Sequence, residues 1–127
     1  MAQQISKAKF IEEKDILLAP HQAFTIAVVV GNTGVNAVNG RKILKAGSPV
    51  GATASVLETR NTKLALTTST TAVQAQGVLR HDIDVTDGDA NAELIISGVV
   101  DSSKCPEIQA DIKAALTHII FVNGGSY

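Results

Sequence analysis

The run Phe24-Thr25-Ile26-Ala27-Val28-Val29-Val30 constrains this chain more than any other stretch, because β-branched residues dominate it and Gly31-Asn32-Thr33-Gly34 stops it abruptly. Branching at Cβ crowds the preceding turn of a helix but suits the pleated surface of a sheet. A strand bounded by turn residues is therefore expected from residue 24. The same alternation of short apolar run and turn continues along the chain. Asn39-Gly40 marks a turn before Arg41-Lys42-Ile43-Leu44-Lys45, and Ala46-Gly47-Ser48-Pro49-Val50-Gly51 marks another between two short strands. Val56-Leu57 and Lys63-Leu64-Ala65-Leu66 read as further strands, with Thr67–Thr71 as a polar loop or edge strand.

A hairpin is expected next. Val78, Ile83 and Val85 supply the apolar positions of its first strand, Asp87-Gly88-Asp89 its turn, and Ala92 to Val100 its return. Asp82 and Asp84 alternate with Ile83 and Val85, which predicts one solvated and one buried strand face. One helix is expected after Ser103-Lys104-Cys105-Pro106-Glu107, since Ser can cap free amides and Pro fits the first helical turn. Ile108, Ile112, Ala115, Leu116 and Ile119 fall on one face of it. Ile119-Ile120-Phe121-Val122 reads as a last strand, ended by Asn123-Gly124-Gly125.

At 127 residues the chain fits one domain, and a domain of that size buries roughly two-thirds of its unfolded surface without disulfide or metal staples. Its aromatics are only Phe10, Phe24, Phe121 and Tyr127, so the core must be packed from Val, Ile, Leu and Ala. The formal charge is -1, with Lys and Arg scattered; the basic stripe and stacking aromatics of a nucleic-acid binder are missing. Cys105 is the single cysteine, which rules out an intrachain disulfide and suits a reducing compartment. Met1 to Phe10 lacks the apolar run of a signal peptide, and the stretch around Thr25 to Val30 is too short to cross a membrane. A chain made in the cytoplasm, with no membrane partner, is expected.

Residues 1–22 differ from the rest and read as an N-terminal arm preceding a β-rich domain over 23–127. Met1 to Lys9 is polar, whereas Phe10-Ile11 and Ile16-Leu17-Leu18 are apolar and costly to leave in water. These residues either order against a partner or pack back onto their own domain.

No constellation of catalytic residues is apparent, and no enzyme activity, cofactor or metal is expected. His21, His81 and His118 lack metal-ligand spacing. Cys105, beside the expected helix start, has no base near it in sequence. Asp82-x-Asp84-x-Thr86 with Glu93 partly matches a calcium loop, but Asp87 stands where such loops require glycine. Neither a phosphate-cradling loop nor a Gly-x-Ser-x-Gly elbow is present.

The order of these segments carries a resemblance. A polar arm leads to a β run, then to Ile43-Leu44-Lys45-Ala46-Gly47-Ser48-Pro49-Val50-Gly51 and to Ala75-Gln76-Gly77-Val78-Leu79-Arg80-His81-Asp82-Ile83-Asp84-Val85. Ala92 to Val100, a helix over Ile108 to Leu116 and the strand Ile119 to Val122 complete it. Over residues 24–123 the chain resembles the lambda-type head decoration proteins of tailed bacteriophages. The resemblance implies a mainly β fold, a compact β-barrel or β-tulip-like domain with one short helix in its C-terminal half and an N-terminal arm. It implies a structural virion protein that binds and stabilises the outside of an expanded capsid. The implied partners are the major capsid protein and two further copies in a homotrimer at local threefold positions. Phe10, Ile11, Ile16, Leu17 and Leu18 are then the capsid-contact candidates. The arm here is charged and partly apolar, unlike the Thr/Ser/Pro-rich arm of the best-known relatives. A head-fibre base, a tail or baseplate module, and a small ligand-binding β-domain are the alternatives.

Overall fold

The computed structural model describes residues 15–68 and 74–123. Among the described residues, eight strands and one α-helix follow in order: β1 (Phe24–Val30), β2 (Ile43–Leu44), β3 (Pro49–Gly51), β4 (Lys63–Leu66), β5 (Ala75–Leu79), β6 (Ile83–Asp84), β7 (Ala90–Asp101), α1 (Ala110–Ala115) and β8 (Ile119–Val122). The fold is mainly β, with one short helix near the C-terminus, as the sequence leads one to expect.

Strands β1, β4, β3, β5 and β7 form a mixed sheet that closes on itself, because β7 pairs with β1 as well as with β5. The β1–β4 pair is parallel and the other barrel pairs are antiparallel. Closure pairs each of these five strands on both sides within the barrel, while the far half of β7 runs on beyond it. β8 adds in parallel to the far half of β7, with Val99 in register with Ile120, and β2 and β6 form a separate two-stranded ribbon.

Alternation along the strands separates two aliphatic cores. Val28, Val30, Val50, Leu64, Leu79, Ala92 and Leu94 fill the barrel with Leu44, Val56 and Val85. Val78 and Ile95, each adjacent in sequence to one of those, face the other way and pack with Val100, Ile108, Ile112, Leu116 and Ile119. Each fully buried Val, Leu or Ile contributes roughly 1.5–3 kcal/mol of transfer free energy. Among the described residues the buried core is aliphatic, with Phe121 packed partly buried against it.

Glycine is required at several close approaches, Gly47 and Gly77 among them. Gly47 has φ +91, and a Cβ there would stand 2.5 Å from the Cys105 sulfur. At Gly77 a Cβ would stand 2.4 Å from the Ile95 carbonyl oxygen, so β5 could not lie so close to β7 with a side chain there. The expected Asn39-Gly40 turn is a two-residue hairpin loop: both residues have positive φ, and Val38 and Arg41 exchange two main-chain hydrogen bonds.

Four local expectations are corrected. Val56-Leu57 is a turn, not a strand; the Gln76 side chain holds it, accepting from the Val56 amide at 2.8 Å and donating to the Ala52 and Ala54 carbonyls. The helix starts only at Ala110, with Gln109 as its N-cap, and the Cys105-Pro106 segment before it is extended at Cys105 (φ -108, ψ 158). Ser103 instead lies in a 3-10 turn, Ser102–Lys104, capped by Asp101. The hairpin partner of β7 is β5 alone; Ile83 and Asp84 turn away to pair with β2. Finally, Asp82 does not lie on a solvated face: it is buried, accepts from the Ala46 amide at 2.7 Å and has the Lys45 ammonium 3.7 Å away.

Candidate functional site

Of the five contact candidates, Phe10 and Ile11 lie outside the described residues, and the other three are separated by strand pairing. Leu17 bridges to Val100 in antiparallel register, flanked by hydrogen bonds from the Leu18 amide to the Val99 carbonyl (3.0 Å) and from the Asp101 amide to the Ile16 carbonyl (2.8 Å). Ile16 and Leu17, 0% and 6% exposed, join the core beside α1, whereas Leu18 is 45% exposed. Residues 15–18 are thus a short strap along the edge of β7 opposite β8. A 3-10 turn, Pro20–Gln22, with no buried residue then leads into β1.

Pairing also builds a surface. Leu18 lies beside Val99, and Val99 is in register with Ile120, so the three side chains form a row across three strands. Ile120 is 60% exposed and Val99 only partly covered, which makes the row an apolar stripe open to solvent. Phe24, also exposed, lies opposite Ser97, two residues before Val99 along β7.

At its start the strap meets a charged cluster. Arg80, just beyond β5, donates from Nη2 to Asp15 Oδ2 at 2.8 Å and from Nη1 to Glu93 Oε2 at 3.0 Å. Its Nε adds a second bond to Asp15 at 3.3 Å, and His81 Nε2 lies 3.5 Å from the other Glu93 oxygen. The hydrogen bond from Arg80 is the main cause that holds the Asp15 carboxyl below its ordinary range. Burial pushes Glu93 upward, but hydrogen bonds from Thr25 and Arg80 outweigh that and leave it lowered as well. Both carboxylates raise the guanidinium further above its already high value. Sequence inspection missed this cluster, because Asp15 and Arg80 are 65 residues apart and nothing local marks them as partners.

The residues weighed for chemistry are dispersed or occupied. His21, His81 and His118 are all exposed, and among the described residues no group of three or more His, Cys, Asp or Glu side chains is placed to hold a metal ion. Asp84 accepts from the Thr86 amide at 2.9 Å and pairs with Arg41 at 3.2 Å; the hydrogen bonds from Thr86 lower its pKa. The Cys105 sulfur contacts the Asp101 carbonyl at 3.3 Å. No described helix is long and apolar enough to cross a membrane.

One cleft, of about 510 Å³, runs between the barrel wall at Pro49 and Leu66, the ribbon at Ile43 and the Pro106–Ile112 segment. The buried hydroxyl of Thr67, which lines it, has no hydrogen-bond partner among the described residues. The cleft is within the size range of small-ligand sites, and its mixed lining selects no particular chemistry.

Comparison with protein-family models and with curated proteins found no match for this chain. Its residues and their arrangement therefore carry the functional reading.

Proposed function

We propose that this chain is a structural protein of a tailed-phage virion: it binds the outside of the expanded capsid as a homotrimer at local threefold positions and stabilises the shell, with the major capsid protein as its partner. The observation that best supports this reading is the strap. Residues 15–18 are strand-paired to β7 and two of them are built into the core, so a load on the chain preceding Asp15 passes directly into the barrel. A peg that must resist outward pressure needs such a root. On this reading the segment before Asp15, with Phe10 and Ile11, adds as a strand to a capsid sheet edge, where main-chain hydrogen bonds supply affinity. Leu18 is the described candidate whose side chain is open to a partner. Three segments on one trimer bind at high effective concentration once the first engages, and binding to the assembled shell alone stabilises it by mass action.

The test is co-sedimentation of the purified protein with expanded and unexpanded shells of the cognate phage, beside a version lacking residues 1–14. Saturable binding to expanded shells that is lost on truncation is the expected result. Binding that survives truncation would move the contact onto the barrel, and no binding to either shell would refute the proposal. A small-ligand-binding domain is a second reading, favoured by the cleft and by the Thr67 hydroxyl, which has no partner among the described residues. A thermal-shift screen of small molecules that raises stability in a manner sensitive to Thr67→Val would support it.

A further inference from the structure

We propose that residues 15–18 form a strap that Arg80 latches onto the edge of β7, and that this strap opens as a unit while the barrel stays closed. The barrel closes through the β1–β7 pair, so the strap can leave without breaking any barrel strand pairing. Its link to β1 is suited to act as a hinge: the Pro20–Gln22 turn buries no residue and has no side-chain cap. Two main-chain hydrogen bonds and the buried Ile16 and Leu17 side chains hold the strap down. Arg80 adds the connection at its start, where a single guanidinium joins Asp15 of the strap to Glu93 of β7.

Without that cation, the Asp15 and Glu93 carboxylates at the start of the strap lose the guanidinium that joins them. Like charges brought together in a half-buried place repel, and separation of the strap from β7 relieves that repulsion. Opening would also uncover the Val99 carbonyl and the Asp101 amide, a stretch of strand edge able to pair with another extended segment. The latch is a property of the free protein and holds whether or not the protein binds a capsid.

Amide hydrogen exchange on the full-length chain tests it. Arg80→Gln keeps the length of the side chain and removes its charge. It should speed exchange at the Leu18 and Asp101 amides by about 10- to 100-fold, with the amides of Leu79 and Gly31, bonded within the barrel, unchanged. Arg80→Lys should fall between that variant and the parent. Asp15→Asn, which leaves the Arg80–Glu93 pair in place, should reproduce the selective acceleration. Two results would overturn the latch: no change at Leu18 and Asp101 in either variant, or an equal acceleration at all four amides, which would mean that Arg80 supports the whole fold.

Discussion

Replacing Ile16 by alanine is the most direct check on whether the strap belongs to the domain. Ile16 is completely buried and packs in the core beside α1, though it follows a polar terminus that reads as an arm. Truncating a fully buried isoleucine to alanine costs the transfer free energy of the lost carbons plus that of the cavity left behind, about 3 kcal/mol within a usual span of ~2–5. With an unfolding entropy of about 2.1 cal/mol/K per residue, a chain of 127 residues loses roughly 4 °C in Tm per kcal/mol. Ile16→Ala should therefore lower Tm by about 11 °C. Leu18→Ala, two residues away but half exposed, should change stability by no more than ~0.5 kcal/mol, or about 2 °C. Far-UV circular dichroism is the suitable probe, since the chain has no tryptophan and one tyrosine. Equal, small shifts for the two variants would show that the strap is not docked in solution. The assignment of residues 15–18 to the fold would then fail.

Two further predictions follow from the geometry. Gly47→Ala should destabilise by about 2 kcal/mol or more, because the residue has positive φ and the new methyl would meet the Cys105 sulfur; urea unfolding in which Gly47→Ala matches the parent would refute this. Asp15 and Glu93 are both held below their ordinary pKa values in the folded chain, so the folded state binds fewer protons than the unfolded one. Their contribution is present above the unfolded values, about pH 4, and is lost as the pH falls through the lower folded ones. The stability gap between the parent and Asp15→Asn should accordingly be open at about pH 6 and narrow progressively as the pH falls below about 4; a gap that widens in acid would mean the sign is wrong.

What the sequence makes legible here is what local pattern determines. The β-branched run became β1, the apolar return after Asp87-Gly88-Asp89 became β7, and Ile119–Val122 became β8. Among the described residues the buried core is built from the Val, Ile, Leu and Ala that the composition pointed to, with Phe121 partly buried against it. Ile108, Ile112, Leu116 and Ile119 are buried as their spacing suggests, although only Ile112 of them lies within α1, and Ala115 is only partly buried. The misses depend on distant partners. Asp82 reads as a solvated position until Ala46 and Lys45, on another part of the chain, bring an amide and an ammonium to it. Val56 reads as a strand residue until Gln76 supplies its loop with the hydrogen bonds that a sheet would have given.

The same limit bears on where the arm ends. Ile16-Leu17-Leu18 reads as one apolar patch, and hydrophobicity says only that such residues need cover. Pairing with β7 decides what covers them: Leu17, opposite Val100, turns to the core, while Leu18, beside Val99, turns outward. A boundary at residue 22, natural from composition, therefore cuts through the packed structure. A truncation there removes two core side chains together with the Arg80 partner Asp15, so lost capsid binding could reflect a damaged fold as readily as a missing contact. Truncation after residue 14 leaves the strap, its latch and the stripe through Leu18 in place. Only that version separates attachment by the preceding segment from the integrity of the barrel it is rooted in.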